Sequence, residues 1–405
     1  MAEVRPFRAL HYDRAVIADV VAPPYDVIDQ EQRAALKARS PHNVVEIDLP
    51  QGDDPYGHAA EVFAAWRDEG VLVRDGEPAF WVLTQDYTGP DGRRYTRSGF
   101  FARVRVEEYG PGRIRPHERT HPGPKEDRLR LTRATKANLS PIFVLHDGPM
   151  PLAVPDDAPF GEVTDEDGTR HRLWRVAADE GFDVGELLIA DGHHRYETAR
   201  VYAEEIGEGE GPHRYVLACL VSLQDPGLTV FPTHRLITGL DDTARQQALR
   251  DTLLRDWEVE RIETDELEPL PGGETVRLGY IDAHHQQAFR LTLKDQATAD
   301  AALPDASEAY RALDTAVLEA LILKGPLKMT EDDISHFKGL DYSRSFAEAR
   351  DRILAKDVSA GFFMGATPVA RIRDVAAAGE VMPPKSTYFF PKVLTGLLLH
   401  PLDEE

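Results

Sequence analysis

Residues 187–199, LLIADGHHRYETA, narrow the possible folds more than any other stretch of the chain. Leu187 to Ala190 read as a buried strand, and the residues from about His193 onward read as a helix. Only Asp191-Gly192 joins them, so the strand must pass almost directly into the helix. A turn of this kind presents backbone N–H groups and the positive end of the helix dipole to a ligand. Gly192 permits close approach to the main chain, and His193, His194 and Arg195 add donors at the same mouth. The result is an anion cradle suited to phosphate. Asp191 has three readings here: it can cap the helix, hold a magnesium ion, or orient a histidine. The plain alternative is a capped helix with surface histidines.

A second stretch, RPHERTHPGPKEDR over residues 115–128, contains His-Glu-x-x-His. On a helix, His117 and His121 would share a face and hold zinc, with Glu118 as general base. That reading needs a helix, and Pro122 pushes the residue before it out of the helical region. Gly123-Pro124 argues against continuation, and no third ligand follows on a clear downstream helix. Residues 106–128 are therefore expected to form a structured loop. Within it, Arg115, His117, Arg119, Lys125 and Arg128 gather around Glu118 and Asp127. Such cations can hold phosphate oxygens, and a carboxylate among them can take a proton from a hydroxyl. A solvated loop with local ion pairs is the alternative.

This gathering stands out because Lys plus Arg number 47 against 70 Asp plus Glu, a net charge of −23. Such acidity disfavours generic binding to nucleic acid or to anionic lipid. No stretch reaches the roughly 18 apolar residues that span a bilayer. The first residues, MAEVRPFRAL, lack the apolar core of a signal peptide. A cytoplasmic protein is expected. Cys219 is the only cysteine, which excludes an internal disulfide, and its apolar neighbours YVLACLVSL place it in the core.

At 405 residues the chain has room for two or three domains. Strands, helices and a Gly-Pro-Asp-Gly hairpin turn fill the first third, and the loop at 106 breaks that pattern. Helical spacing resumes at DDTARQQALRDTLLRDW and AYRALDTAVLEALIL, separated by strands. The expected divisions are 1–105, 106–236 and 237–405. Three further clusters can contribute. Thr233, His234 and Arg235 follow a strand. Lys385, Ser386, Thr387, Tyr388 and Lys392 lie among prolines in MPPKSTYFFPK. Tyr25 and Asp26 sit in the turn APPYDVI.

The strand–DGHHR–helix turn resembles the phosphate-binding turn of the ParB/sulfiredoxin-like fold. The order His117-Glu118, then Pro141-Ile142-Phe143-Val144, then Asp191 to Arg195 is similar to the free-serine kinase branch of that superfamily. Five stretches, Ala22–Ile28, His117–Arg128, Ala190–Ala199, Pro232–Leu236 and Pro384–Lys392, also resemble the pattern of an uncharacterised bacterial and archaeal family. The resemblance implies an α+β protein with a ParB/sulfiredoxin-like core in 106–236 and additional N-terminal and C-terminal α/β domains. It implies phosphoryl transfer from ATP or ADP, with Mg2+, to the hydroxyl of a small metabolite, foremost free L-serine. Glu118 would be the base and Asp191 a magnesium ligand or phosphate-orienting group, with His193 beside it. Gly192, His194 and Arg195 would cradle the nucleotide phosphates, supported by Lys125, Arg128, His117, Thr233, His234, Arg235, Lys385 and Ser386. The chain departs from ParB proteins in lacking a basic helix-turn-helix, and from sulfiredoxins in having histidine where they need cysteine. Nucleotide sensing without turnover and phosphate-ester hydrolysis remain the alternatives.

Overall fold

The computed structural model describes residues 1–89, 92–111, 113–118, 122–269, 273 and 275–403. It is a mixed α+β protein with several sheets. Its contacts gather into two compact units. The first comprises residues 1–116, 120–229 and 391–405, and the second 117–119 and 230–390. Contacts pass from the first unit to the second between residues 229 and 230 and return between 390 and 391.

The first unit is built on a ten-stranded sheet. Its strands are β1 (Ala2–Arg5), β2 (Ala79–Thr88), β3 (Arg94–Arg105), β4 (Ile114–Arg115), β5 (Ile142–His146), β6 (Gly161–Thr164), β7 (Arg170–Ala177), β8 (Phe182–Val184), β9 (Leu187–Asp191) and β10 (Tyr215–Ser222). The order is β4-β9-β5-β10-β3-β2-β7-β6, with β1 pairing β8 and β3. Every residue of β10 is buried, Cys219 included, because the strand runs between parallel β5 and antiparallel β3. Burial pushes the Cys219 thiol up to about 12, so it stays protonated as a small core side chain. The β2–β3 hairpin forms around the expected Gly-Pro-Asp-Gly turn, of which Pro90 and Asp91 lie outside the described residues.

The longer helices of this unit are α1 (Gln30–Arg39), α2 (Pro55–Asp68), α3 (Pro122–Thr135) and α4 (His193–Ile206). The first begins with a capping box, Asp29 accepting from the Gln32 N–H and Gln32 accepting from the Asp29 N–H. The beginning of α3 corrects the sequence reading. Instead of a loop to residue 128, the helix starts at Pro122 and includes Gly123-Pro124. First-turn N–H groups have no intrahelical acceptor, so prolines there forfeit nothing. His117 and Glu118 precede that helix, and His121 lies outside the described residues. Helices α3 and α4 pack together, with Leu129 against Tyr202 and Arg133 bridging to Glu205.

The second unit carries a six-stranded sheet. Its strands are β11 (His234–Ile237), β12 (Trp257–Arg261), β13 (Arg277–Asp282), β14 (Ala288–Leu293), β15 (Leu340–Ser343) and β16 (Ala360–Phe363), in the order β12-β14-β13-β16-β11-β15. Helix α5 (Thr243–Asp256), capped by Asp242, buries Leu249 and Leu253 in a core with Trp257, Leu278, Leu291 and Phe362. The helix expected over 309–323 divides at Leu313, whose extended backbone (φ −77°, ψ 126°) precedes the short α6 (Asp314–Leu318). Desolvation pushes the Asp314 carboxyl up to about 6, against the pull of Arg371. A carboxyl raised above its unfolded value costs stability once ionised, a penalty absent below about pH 4 and complete above about pH 6. Asp314→Asn should therefore raise the melting temperature at pH 7, by roughly 1–2 kcal/mol of stability, and leave it unchanged near pH 3.5. Thermal scans at the two pH values check this.

Candidate functional site

The DGHHR turn behaves locally as its sequence demands. β9 is buried from Leu187 to Ala190 and pairs antiparallel with β5, and its register breaks between Ile189 and Asp191. That irregularity brings Asp191 to the strand end. Gly192 follows at φ 91°, ψ 29°, a left-handed conformation that favours glycine, and serves as N-cap of α4 without a side-chain cap. Asp191 therefore does not cap the helix. Its Oδ2 accepts from Arg195 at 2.7 Å and its Oδ1 from the Lys392 ammonium at 2.6 Å. Burial alone would raise this carboxyl, but Lys392 and Arg195, with His193 behind them, hold it well below the usual carboxylate range.

Arg195 also donates to the Pro141 carbonyl, while its buried Nε has no hydrogen-bond partner among the described residues. A Cβ on residue 192 would stand 3.1 Å from that Nε and 2.9 Å from Ile142 Cγ2. The missing side chain of Gly192 thus leaves the main chain tight against Arg195. His193 is buried and His194 half-buried in the first turn of α4. Around this point the first unit places a second charged cluster. Arg128 lies over the Tyr25 ring at 4.2 Å, donates to the Asp48 carbonyl at 2.6 Å and grips Asp127 through Nε and a terminal nitrogen. Burial pushes the Tyr25 hydroxyl up to about 12 against the opposing pull of Arg195 and Arg128. A cavity of about 30 Å³, lined by Asp48, Arg128, Ser140, Arg195 and Thr198, adjoins both arginines. Lys125 is half-buried on α3, where its carbonyl accepts from Thr198.

His117, Glu118, Thr233, His234, Arg235, Lys385 and Ser386 belong to the second unit. His117 is buried, its Nε2 2.7 Å from Thr387 Oγ1 and its ring edge-on to Phe389. Glu118 is half-buried next to it. His234 accepts from the Met364 N–H through Nδ1 at 3.2 Å and faces Glu268 with Nε2 at 3.4 Å. Arg235 is buried, donating to the Thr233 and Pro384 carbonyls and lying over Tyr342. Burial lowers its pKa, and Tyr342 and Glu319 oppose that shift. Ser386 donates to the Pro383 carbonyl, and exposed Lys385 takes a left-handed φ of 55°. His234 and Arg235 are thus engaged within their own unit rather than presented as open donors.

The sequence places Lys392 only within its proline-rich motif and gives Asp48 no distinguishing signal. Lys392 stands 201 positions from Asp191, so no local spacing could connect them. A larger cavity, about 950 Å³, lies in the second unit between α5 and β13–β14, with Leu249, Leu253, Tyr280 and Phe289 on its walls. Acids and bases are both among its lining residues, and it contains none of the predicted residues. Among the described residues, no helix is long and apolar enough to cross a membrane, and no cluster of three or more His, Cys, Asp or Glu is placed to hold a metal ion.

Comparison with known proteins gives a coarse frame. The model of a family described as protein of unknown function (DUF1015) matches residues 4–316. No curated protein matches the chain. Among solved structures, a conserved hypothetical protein from Pyrococcus furiosus is 16% identical, with a TM-score of 0.35 over 68% of this chain and 86% of that one. A mutant free serine kinase in complex with ADP is 15% identical, with a TM-score of 0.37 over 68% and 83% of the two chains. SbnI with a C-terminal truncation, from Staphylococcus aureus, is 12% identical, with a TM-score of 0.37 over 73% and 85%.

Proposed function

The chain belongs to the DUF1015 family of proteins of unknown function, and we propose that it transfers a phosphoryl group from ATP or ADP to the hydroxyl of a small metabolite, foremost free L-serine. One observation carries the reading: Asp191, Arg195 and Lys392 are locked together at the uncapped start of a 14-residue helix, directly after a left-handed glycine. The first-turn N–H groups, the helix dipole and two fixed cations favour a phosphate there. The sequence's resemblance to free-serine kinases supplies the acceptor class. Charge neutralisation and positioning are the main tasks of such a site.

Asp191 does not fit a magnesium ligand. A single carboxylate with both oxygens in ion pairs is already neutralised, so its role in this reading is to hold Arg195 and Lys392 in place. Magnesium would come with the nucleotide phosphates, as it commonly does. Glu118 is assigned as base: its carboxylate takes the acceptor hydroxyl proton, and the oxygen attacks the terminal phosphorus, releasing ADP from ATP or AMP from ADP.

The test incubates purified protein with ATP or ADP, magnesium and a panel of amino acids and polyols, and reads phosphorylated product by 31P NMR. Glu118→Ala should lower turnover by about 10²–10⁴-fold and leave nucleotide affinity unchanged. Full turnover in that variant removes Glu118 from the reaction. Tight binding with no consumption by the wild type means a nucleotide sensor instead.

A further inference from the structure

Three polar side chains cross the interior of the first unit's sheet in a single row. His171 on β7 is directly opposite Gln85 on β2, and Gln85 is directly opposite Arg97 on β3. Each is 1% exposed. Three buried polar groups side by side are costly unless every one is satisfied.

Their hydrogen bonds fix one another's orientation. Arginine has only donors, and Arg97 directs Nε (3.0 Å) and a terminal nitrogen (2.5 Å) at Gln85 Oε1. The amide must therefore turn its NH2 group the other way, where Nε2 lies 3.0 Å from the Lys392 carbonyl and 3.2 Å from His171 Nδ1. Nδ1 is then the acceptor, and the imidazole proton belongs on Nε2, which meets Asp165 Oδ2 at 2.8 Å. Asp165 is held in turn by the Thr169 N–H at 2.9 Å. Arg97 also donates to the Pro391 carbonyl and lies over the Phe143 ring at 4.6 Å. Both carbonyls of Pro391-Lys392 are thus tied to the polar row, and the side chain leaving that segment is the ammonium that grips Asp191.

We propose that Gln85 is a positioning residue for the anion site: with Arg97 and His171 it clamps the main chain at Pro391-Lys392 so that Lys392 meets Asp191. This rests on the phosphate-binding reading of the DGHHR turn. Gln85 touches no ligand and acts only through Lys392.

Gln85→Glu tests it. The substitution keeps an acceptor for Arg97 but removes the N–H that Lys392 and His171 accept. ADP affinity, measured by calorimetry, should fall about tenfold. Lys392→Met should cause a similar loss, and the double variant no more than Lys392→Met alone. Losses that multiply in the double variant overturn the proposal. Should Gln85→Glu not fold, His171→Phe serves: it should lose about threefold in affinity, and nothing in the Lys392→Met background. Amide exchange separates this claim from the reading beneath it. Residues 391–394 should exchange faster in Gln85→Glu whether or not nucleotide binds, and unchanged exchange there overturns the clamp. A wild type that binds neither ADP nor pyrophosphate overturns the phosphate reading while leaving the exchange result to decide the clamp.

Discussion

Alanine at Asp191 should destabilise the protein by about 3–5 kcal/mol at pH 7. The reason is what remains rather than what is lost. Arg195 and Lys392 have side chains only 10% and 15% exposed, and the substitution takes from both the carboxylate they share. Urea denaturation of the variant and wild type gives the difference directly. Its pH dependence follows from the depressed carboxyl. Stability from Asp191 is complete above the ordinary carboxylate range and is lost as pH falls through its lower folded value. The gap between the two proteins should therefore be full at neutral pH and narrow only in strong acid. A difference below about 1 kcal/mol at pH 7 would mean that the trio acts like an exposed surface pair.

The second large effect is expected at Gly192. Alanine there would have to hold φ near 91° with its Cβ 2.9 Å from Ile142 Cγ2 and 3.1 Å from Arg195 Nε. The backbone strain costs about 1–3 kcal/mol. The collision has a separate consequence, because β5, which carries Ile142, cannot yield easily, so the guanidinium of Arg195 must move. Affinity for pyrophosphate or ADP should fall about a hundredfold, the loss of two charge-assisted hydrogen bonds. Calorimetry beside a thermal melt distinguishes the two consequences. A lowered melting temperature with undiminished affinity would place the phosphate site elsewhere.

What the sequence made legible was what lies close together along it. The turn at 187–195 was readable because strand, glycine and helix start are consecutive, and each carries its own signal. Cys219 was readable as core for the same reason. The start of α3 is not legible because a proline forbids helix in an interior but not in a first turn, and the sequence does not mark which of the two it occupies. The pairing of β3 with β10 carries no local signal, because more than a hundred residues separate the paired positions. The row His171–Gln85–Arg97 had no signal at all. Its members come from three strands, and only the register of β7, β2 and β3 aligns them. An arginine's spacing likewise does not reveal whether it meets a ligand or, like Arg235, a carbonyl of its own chain.

The return of residues 391–405 to the first unit has a bearing on biosynthesis. Asp191 and Arg195 emerge from a ribosome together, but Lys392 follows 201 positions later. At typical elongation rates of about 5–20 residues per second, that is an interval of roughly 10–40 s. Throughout it the carboxylate has one cation instead of two, and the polar row has no Pro391 or Lys392 carbonyl to hold. The charged trio at the head of α4 cannot close before this segment is made. Closure of the trio is therefore a late event, set by the position of Lys392 in the chain.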